Sequence, residues 1–178
     1  LIARNPDMAN PSANILFTLV NDTVCMRVTG RATLTCSSDF KRLVLKMFDE
    51  GKERVIVELS ECQSMDSTFL GMLSGLGMKH GNPSTPAHER AIELLNPTER
   101  VTDLIDNLGV SDYFNLVSGD LPENVQCDRE VEHTESSKQQ TARDCLEAHK
   151  VLMELNPQNQ AIFKDVVKYF EEEAGEDE

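Results

Sequence analysis

The sequence predicts an α/β domain: a mixed sheet of four to five strands with helices mainly on one face, followed by a C-terminal helical extension. Three observations carry that expectation. Arg54 to Ser60 contains Val55-Ile56-Val57, a β-branched run apolar on both faces, which fits a central strand. Three stretches show apolar stripes at helical spacing. Strands and helices alternate along the chain, which implies largely parallel pairing with right-handed crossovers.

Taken in order, Ile15 to Val20 reads as a strand and Thr23 to Val28 as a second, with Val24, Met26 and Val28 on one face. Asn21-Asp22 between them is a turn signal, so the two form a hairpin that Gly30 ends. Thr35 to Glu50 is helical, since Phe40, Leu43, Val44, Met47 and Phe48 line one stripe and Gly51 suits the end. The central strand follows, and then a helix from Asp66 onward whose stripe is Phe69, Leu73 and Leu76, with Leu70 beside it. Gly71 and Gly75 lie on one side of that helix; each weakens it by roughly 1 kcal/mol, so a close approach to the sheet is expected there. Arg90 to Leu95 is a strand, Asn96-Pro97 a helix start, and Val101, Leu104, Ile105 and Leu108 the stripe of a helix that Gly109 ends. Tyr113 to Val117 is a last strand. Four segments result: a disordered or vector-derived lead over 1–13, a folded domain over 14–118, a polar linker over 119–137 and a two-helix extension with an acidic tail over 138–178.

Composition narrows the function classes. A net charge of −14 in 178 residues argues against nucleic acid or an anionic membrane surface as the main partner. No apolar run approaches the roughly 20 residues a membrane span needs, so no membrane insertion is expected. The charge is uneven: 11 Lys/Arg meet 15 Asp/Glu in residues 1–118, but 6 meet 16 in residues 119–178, as expected of a compact domain followed by a different kind of segment. Five cysteines at 25, 36, 62, 127 and 145 form no CxxC pair, which suits reduced thiols in a cytoplasmic protein and points to no zinc site.

Enzyme motifs are lacking. Ser67 and Ser74 have no GxSxG context, and neither GxGxxG nor GxxxxGK[ST] occurs. A lone histidine on a helix face, such as His149, is more often packed than catalytic. The expectation is a non-enzymatic protein with no catalytic residue, metal or cofactor. Asp66-Ser67-Thr68, placed just after a strand and at the start of a helix, remains open to two readings. One of these residues is an N-cap, or Ser67 carries a phosphate that a helix N-terminus tolerates and that changes the surface charge by roughly −1.5 to −2.

The segment RVIVELSECQSMDSTFLGMLSGLG resembles the signature of the STAS family, the anti-sigma-factor-antagonist domain, in which a strand runs into Asp-Ser-Ser/Thr-Gly-Leu-Gly and then a helix. VTGRAT and LLNPTERVTDLIDNLGVSDYF resemble further parts of that family, and the resemblance covers roughly residues 14 to 118. It implies that Ser67 is the phosphoacceptor and that Asp66, Thr68, Phe69, Gly30, Arg31 and Thr33 face a partner. It implies as partners a serine kinase that doubles as an anti-sigma factor, of the histidine-kinase-like ATPase type, and a serine phosphatase. The function implied is bacterial transcription regulation by partner switching; the alternative is a STAS subunit of a lipid or anion transport system. Phe69 departs from the pattern, which has Gly there.

Two amphipathic helices are expected in the extension, over 140–155 and 157–170. LEAHKVLMELNPQN resembles one tetratricopeptide-type helical repeat, and a single repeat cannot bury its own face. These helices are therefore expected to pack on the domain, on a second copy or on a partner, with Glu171 to Glu178 as a solvated, disordered end.

Overall fold

The computed structural model describes residues 13–82 and 84–175. The expected lead, apart from Ala13, and the last three residues of the expected tail lie outside the described residues.

Strand β1 (Asn14–Val20) turns through Asn21-Asp22 into β2 (Thr23–Ala32), the expected hairpin, with Val20 opposite Thr23. Asn21 adopts φ 54, a conformation Asn tolerates better than most residues. Helix α1 (Leu34–Asp49) leads to β3 (Arg54–Glu58) and β4 (Cys62–Met65). Helix α2 (Ser67–His80), β5 (Ile92–Leu95), α3 (Glu99–Leu108) and β6 (Asn115–Val117) complete the alternation. A two-residue β7 (Arg129–Glu130) precedes α4 (Lys138–Leu155) and α5 (Asn159–Gly175).

The sheet runs β6-β5-β3-β2-β1-β7, with β4 added to the far end of β2. β3 is central, as its β-branched run requires: it pairs in parallel with β2 on one side and β5 on the other. Among the described residues only the hairpin and β7 pair antiparallel. The sheet has seven strands where sequence patterning indicates four to five. The additions are β4 and β7, four and two residues long, too short to show a period of two.

The main core lies on one face. Val24, Met26 and Val28 of β2 and Val55 and Val57 of β3 meet Phe40 and Val44 of α1, Phe69, Leu70 and Leu73 of α2, and Val101 and Ile105 of α3. The intervening residues Cys25 and Ile56 point to the other face, where Leu95 and Cys127 join them. The segment over 119–137 is therefore not free of the domain. Cys127 is buried against β2, and farther on His133 Nδ1 and the Thr134 N–H both reach the Asp39 carboxylate on α1, at 2.8 and 3.1 Å.

Several helix boundaries differ from expectation, α4 beginning at Lys138 instead of 140 and α5 at Asn159 instead of 157. Helix α3 is capped by the Thr98 hydroxyl, which accepts from the Val101 N–H; Asn96 sits at φ 52 with its amide bonded to Gly119. Pro97 thus precedes the cap instead of occupying the first helical turn. Glu171–Gly175, expected to be disordered, continue α5. Together α4 and α5 form a helical hairpin laid over α2 as a third layer. The amides of Asn156 and Asn159 anchor its turn to the Leu108 carbonyl at the end of α3, at 3.1 and 2.9 Å.

Candidate functional site

The start of α2 is organised by Asp66. Its Oδ1 accepts from the Phe69 N–H at 2.8 Å, and its Oδ2 accepts from the Leu34 N–H of α1 at 3.0 Å. Its own N–H donates to the Ala32 carbonyl at 2.9 Å. One carboxylate therefore satisfies the first turns of two helices and joins them to the end of β2. The plain N-cap is Asp66, and the Ser67 hydroxyl caps nothing.

That hydroxyl meets α4 instead. Ser67 Oγ lies 2.9 Å from His149 Nε2. His149 Nδ1 lies 2.7 Å from the Cys145 carbonyl, which can only accept. Nδ1 therefore carries the ring proton, and Nε2 accepts from the Ser67 O–H. The ring is 4% exposed and packs against Phe163 and Phe170 of α5, at centroid distances of 4.9 and 6.3 Å. Burial holds its pKa below the usual histidine value, against the opposing effects of the Cys145 hydrogen bond and the nearby Asp66 carboxylate. A neutral imidazole is thus held with its lone pair on the serine proton, which gives that proton an acceptor if Oγ acts as a nucleophile.

The other expected partner-facing residues divide. Thr68 is buried under α4, its hydroxyl 3.8 Å from Cys145 Sγ, and it is not on an open surface. Phe69 is fully buried and meets Phe40 edge to face at 5.2 Å. The larger residue at this position faces the core, which corrects the expectation that it contacts a partner. Thr33 sits beside the site, directly before Leu34, with its hydroxyl 2.9 Å from that of Thr35. Gly30 lies elsewhere. It adopts φ +81 at the irregularity where β2 leaves β3 for β4, and it lines a separate groove of about 500 Å³ with Ser60, Gln63 and Thr98. Arg31, exposed, pairs with Ser64 in the next register position.

Of the three glycines of α2, Gly71 finds its reason on α4 and not on the sheet, while Gly77 lies against the Tyr113 carbonyl. A Cβ on Gly71 would lie 2.4 Å from the Ala148 carbonyl oxygen, so the two helix backbones touch there. One on Gly75 would meet only the Val151 methyls, at 3.5 Å and beyond. Beside this seam, α1, α2 and α4 enclose a cavity of about 430 Å³ lined by Met72, Leu76, Leu45 and Val151. Polar contacts to α1 flank it: Lys41 Nζ to Glu147 at 2.8 Å, and the Ser38 hydroxyl to the Asp144 carboxylate. Sequence reasoning places none of these partners. Ser67 and His149 are 82 residues apart, and no spacing signal connects them.

Among the described residues no group of His, Cys, Asp and Glu is placed to hold a metal, and no helix is long and apolar enough to cross a membrane.

Comparison with known proteins bears on the domain that carries Ser67. The chain is similar to the anti-sigma factor antagonist SpoIIAA, solved in its unphosphorylated form, with a TM-score of 0.50 and 18% identity over 60% of this chain and 88% of that one. It is also similar to the protein TM1081 of Thermotoga maritima in an NMR and a crystal structure, at 17% and 18% identity and TM-scores of 0.48 and 0.44. Those matches cover 66% and 59% of this chain and 87% and 86% of the other. No curated protein matches. The family model described as "Mlab, STAS domain" matches residues 15–118, the part of the chain that holds β1 to β6 and α1 to α3, and the chain belongs to the STAS-domain family.

Proposed function

We propose that the protein is a non-enzymatic regulator that exchanges protein partners according to the phosphorylation state of Ser67. The observation that carries this reading is the position of Ser67. It is the first residue of α2, directly after the capping Asp66, on the residue that matches the family's phosphoacceptor, and its hydroxyl is not used to hold the helix. A phosphate there adds a charge of about −1.5 to −2 at a positive helix end without breaking the helix. The same phosphate in a docked interface must be desolvated or must face a carboxylate, and an unpaired buried charge typically costs several kcal/mol. Each ~1.4 kcal/mol is a factor of ten in affinity, so one phosphate suffices to release a micromolar partner. The partners expected are a serine kinase of the histidine-kinase-like ATPase type that doubles as an anti-sigma factor, and a serine phosphatase. The similar structure is an anti-sigma factor antagonist described as unphosphorylated, which supports this choice.

Membership of the STAS-domain family also leaves a second reading, a STAS subunit of a lipid or anion transport system, which the family resemblance implies as the alternative. Affinity capture on the full chain, with wild type beside Ser67→Asp, separates the two when the captured proteins are identified by mass spectrometry. The switching reading predicts a kinase-type ATPase that wild type retains and Ser67→Asp loses. Equal capture of a transport ATPase or permease by both proteins would replace it with the second reading.

A further inference from the structure

The surface that presents Ser67 is occupied by the chain itself. We propose that the α4–α5 hairpin is an in-cis ligand of the α1–α2 face, withholding Ser67 and that face until the hairpin is displaced. This inference rests on the reading of Ser67 as the switching residue.

Contacts at four places make the seat. Backbone meets backbone where Gly71 lies under Ala148, a fit that only glycine permits at that position. Thr68 is covered by Cys145, and the Ser67 hydroxyl is bonded to His149. Lys41 and Ser38 of α1 hold Glu147 and Asp144 of α4. The turn of the hairpin is tied to the end of α3 through Asn156 and Asn159. The hairpin's own apolar residues, Ala148, Leu152, Phe163 and Val167, are buried in this arrangement.

The seat is incompatible with the proposed modification. Oγ is already at hydrogen-bond distance from the imidazole, so a phosphoryl group on it in its present position needs space that the His149 ring fills. A kinase that reaches Ser67, or a protein partner that covers Ser67 and Thr68, must take the place of α4. The features that favour displacement over permanent fusion are also present. The flanking Lys41–Glu147 pair has Glu147 61% exposed, and such pairs hold weakly. The cavity of about 430 Å³ beside the glycine seam leaves the α2–α4 junction incompletely filled.

The test uses the full chain and a maleimide too bulky to enter the closed seat. In a Cys145→Ala background, which removes the one native thiol that the opened seat would uncover, Ser67→Cys reports on access, since Cys25, Cys62 and Cys127 are buried in the domain and burial pushes the partly covered Cys36 thiol up to about 11. The comparison is Ser67→Cys alone against Ser67→Cys with Ala148→Leu, which wedges the seam from the hairpin side. The expected result is labelling at least about tenfold faster in the wedged protein, with hydrogen exchange raised in 138–175 and unchanged in the sheet. Equal labelling rates overturn the proposal. Should the wedge also loosen the sheet, Lys41→Glu outside the core makes the same comparison, with labelling about two- to fivefold faster expected from the loss of an exposed pair and equal rates overturning the proposal. No kinase enters the assay, so the two readings fail separately. A shielded Ser67 that never carries phosphate defeats the function proposed above and leaves the hairpin result standing; an unshielded Ser67 that does carry phosphate does the reverse.

Discussion

Asp66 and Ser67 are neighbours with separable duties, and single substitutions should show it. Asp66→Ala leaves the first turns of α1 and α2 without their shared acceptor, and at about 1 kcal/mol per cap it should lower global stability by about 2 kcal/mol in urea denaturation. Ser67→Ala removes no cap. Its effect should fall on the hairpin, seen as faster hydrogen exchange in α4 and α5 with the sheet unchanged. Equal loss from both variants in the global transition would mean that Ser67 supports α2 itself. His149 gives the same contact a pH dependence. Burial holds its folded pKa below the ordinary histidine value of 6.5, so below that value the unfolded or undocked form binds the proton more readily. Docking is therefore at full strength above about pH 6.5 and weakens as the pH falls from there toward the folded pKa. Asp66 is the charged group that acts on the ring, and it opposes the shift; the facing side chains of α5 are Phe163 and Phe170. Exchange protection of α4 and α5, corrected for intrinsic rates, should fall between pH 7.5 and 5.5 in wild type and much less in His149→Gln.

At the level of elements, the glycines of α2 are the sharpest case of what a sequence shows and withholds. Gly71 and Gly75 were legible as an anomaly that needs a close neighbour, but the neighbour of Gly71 is Ala148, more than seventy residues later, and not the sheet, and Gly75 has no neighbour that requires a glycine. The two sites should respond oppositely. Gly75→Ala places a methyl in ordinary contact with Val151 and gains up to about 1 kcal/mol of helix propensity, so the melting temperature should rise. Gly71→Ala drives a methyl into the Ala148 carbonyl and should unseat the hairpin, which thermal melts and exchange of residues 138–175 would register. Long periodic elements were readable because their stripes are local: α1, α3, α4, α5 and the central β3 all follow from runs of apolar residues. β4 and β7 were not, being too short to repeat a period of two often enough to be seen, and the α3 cap moved from Asn96 to Thr98 because Asn96 is held by Gly119. At the site, the Asp-Ser-Thr cluster was visible from its place between strand and helix, whereas the burial of Thr68 and Phe69 depends on what packs above and below them.

For the whole molecule, the STAS domain supplies a helix start where one side chain, Asp66, does the capping and the next is left available. The C-terminal extension then covers that availability. Sheet, α2 and hairpin form three successive layers, and Ser67 sits at the boundary between the second and the third. This layering accounts for the uneven charge of the chain. The acidic C-terminal part brings Asp144 and Glu147 to Ser38 and Lys41, and among the described residues most of its other carboxylates are exposed. The central claim is that Ser67 is the residue through which the protein changes partners. Phosphopeptide mapping of the full chain, purified from its own cells and read by mass spectrometry, tests it most directly. The account predicts phosphate on the peptide containing Asp66-Ser67-Thr68, assigned to Ser67 and absent from the Ser67→Ala protein. A chain that carries no phosphate there under any growth condition, or carries it only on other residues, would contradict it.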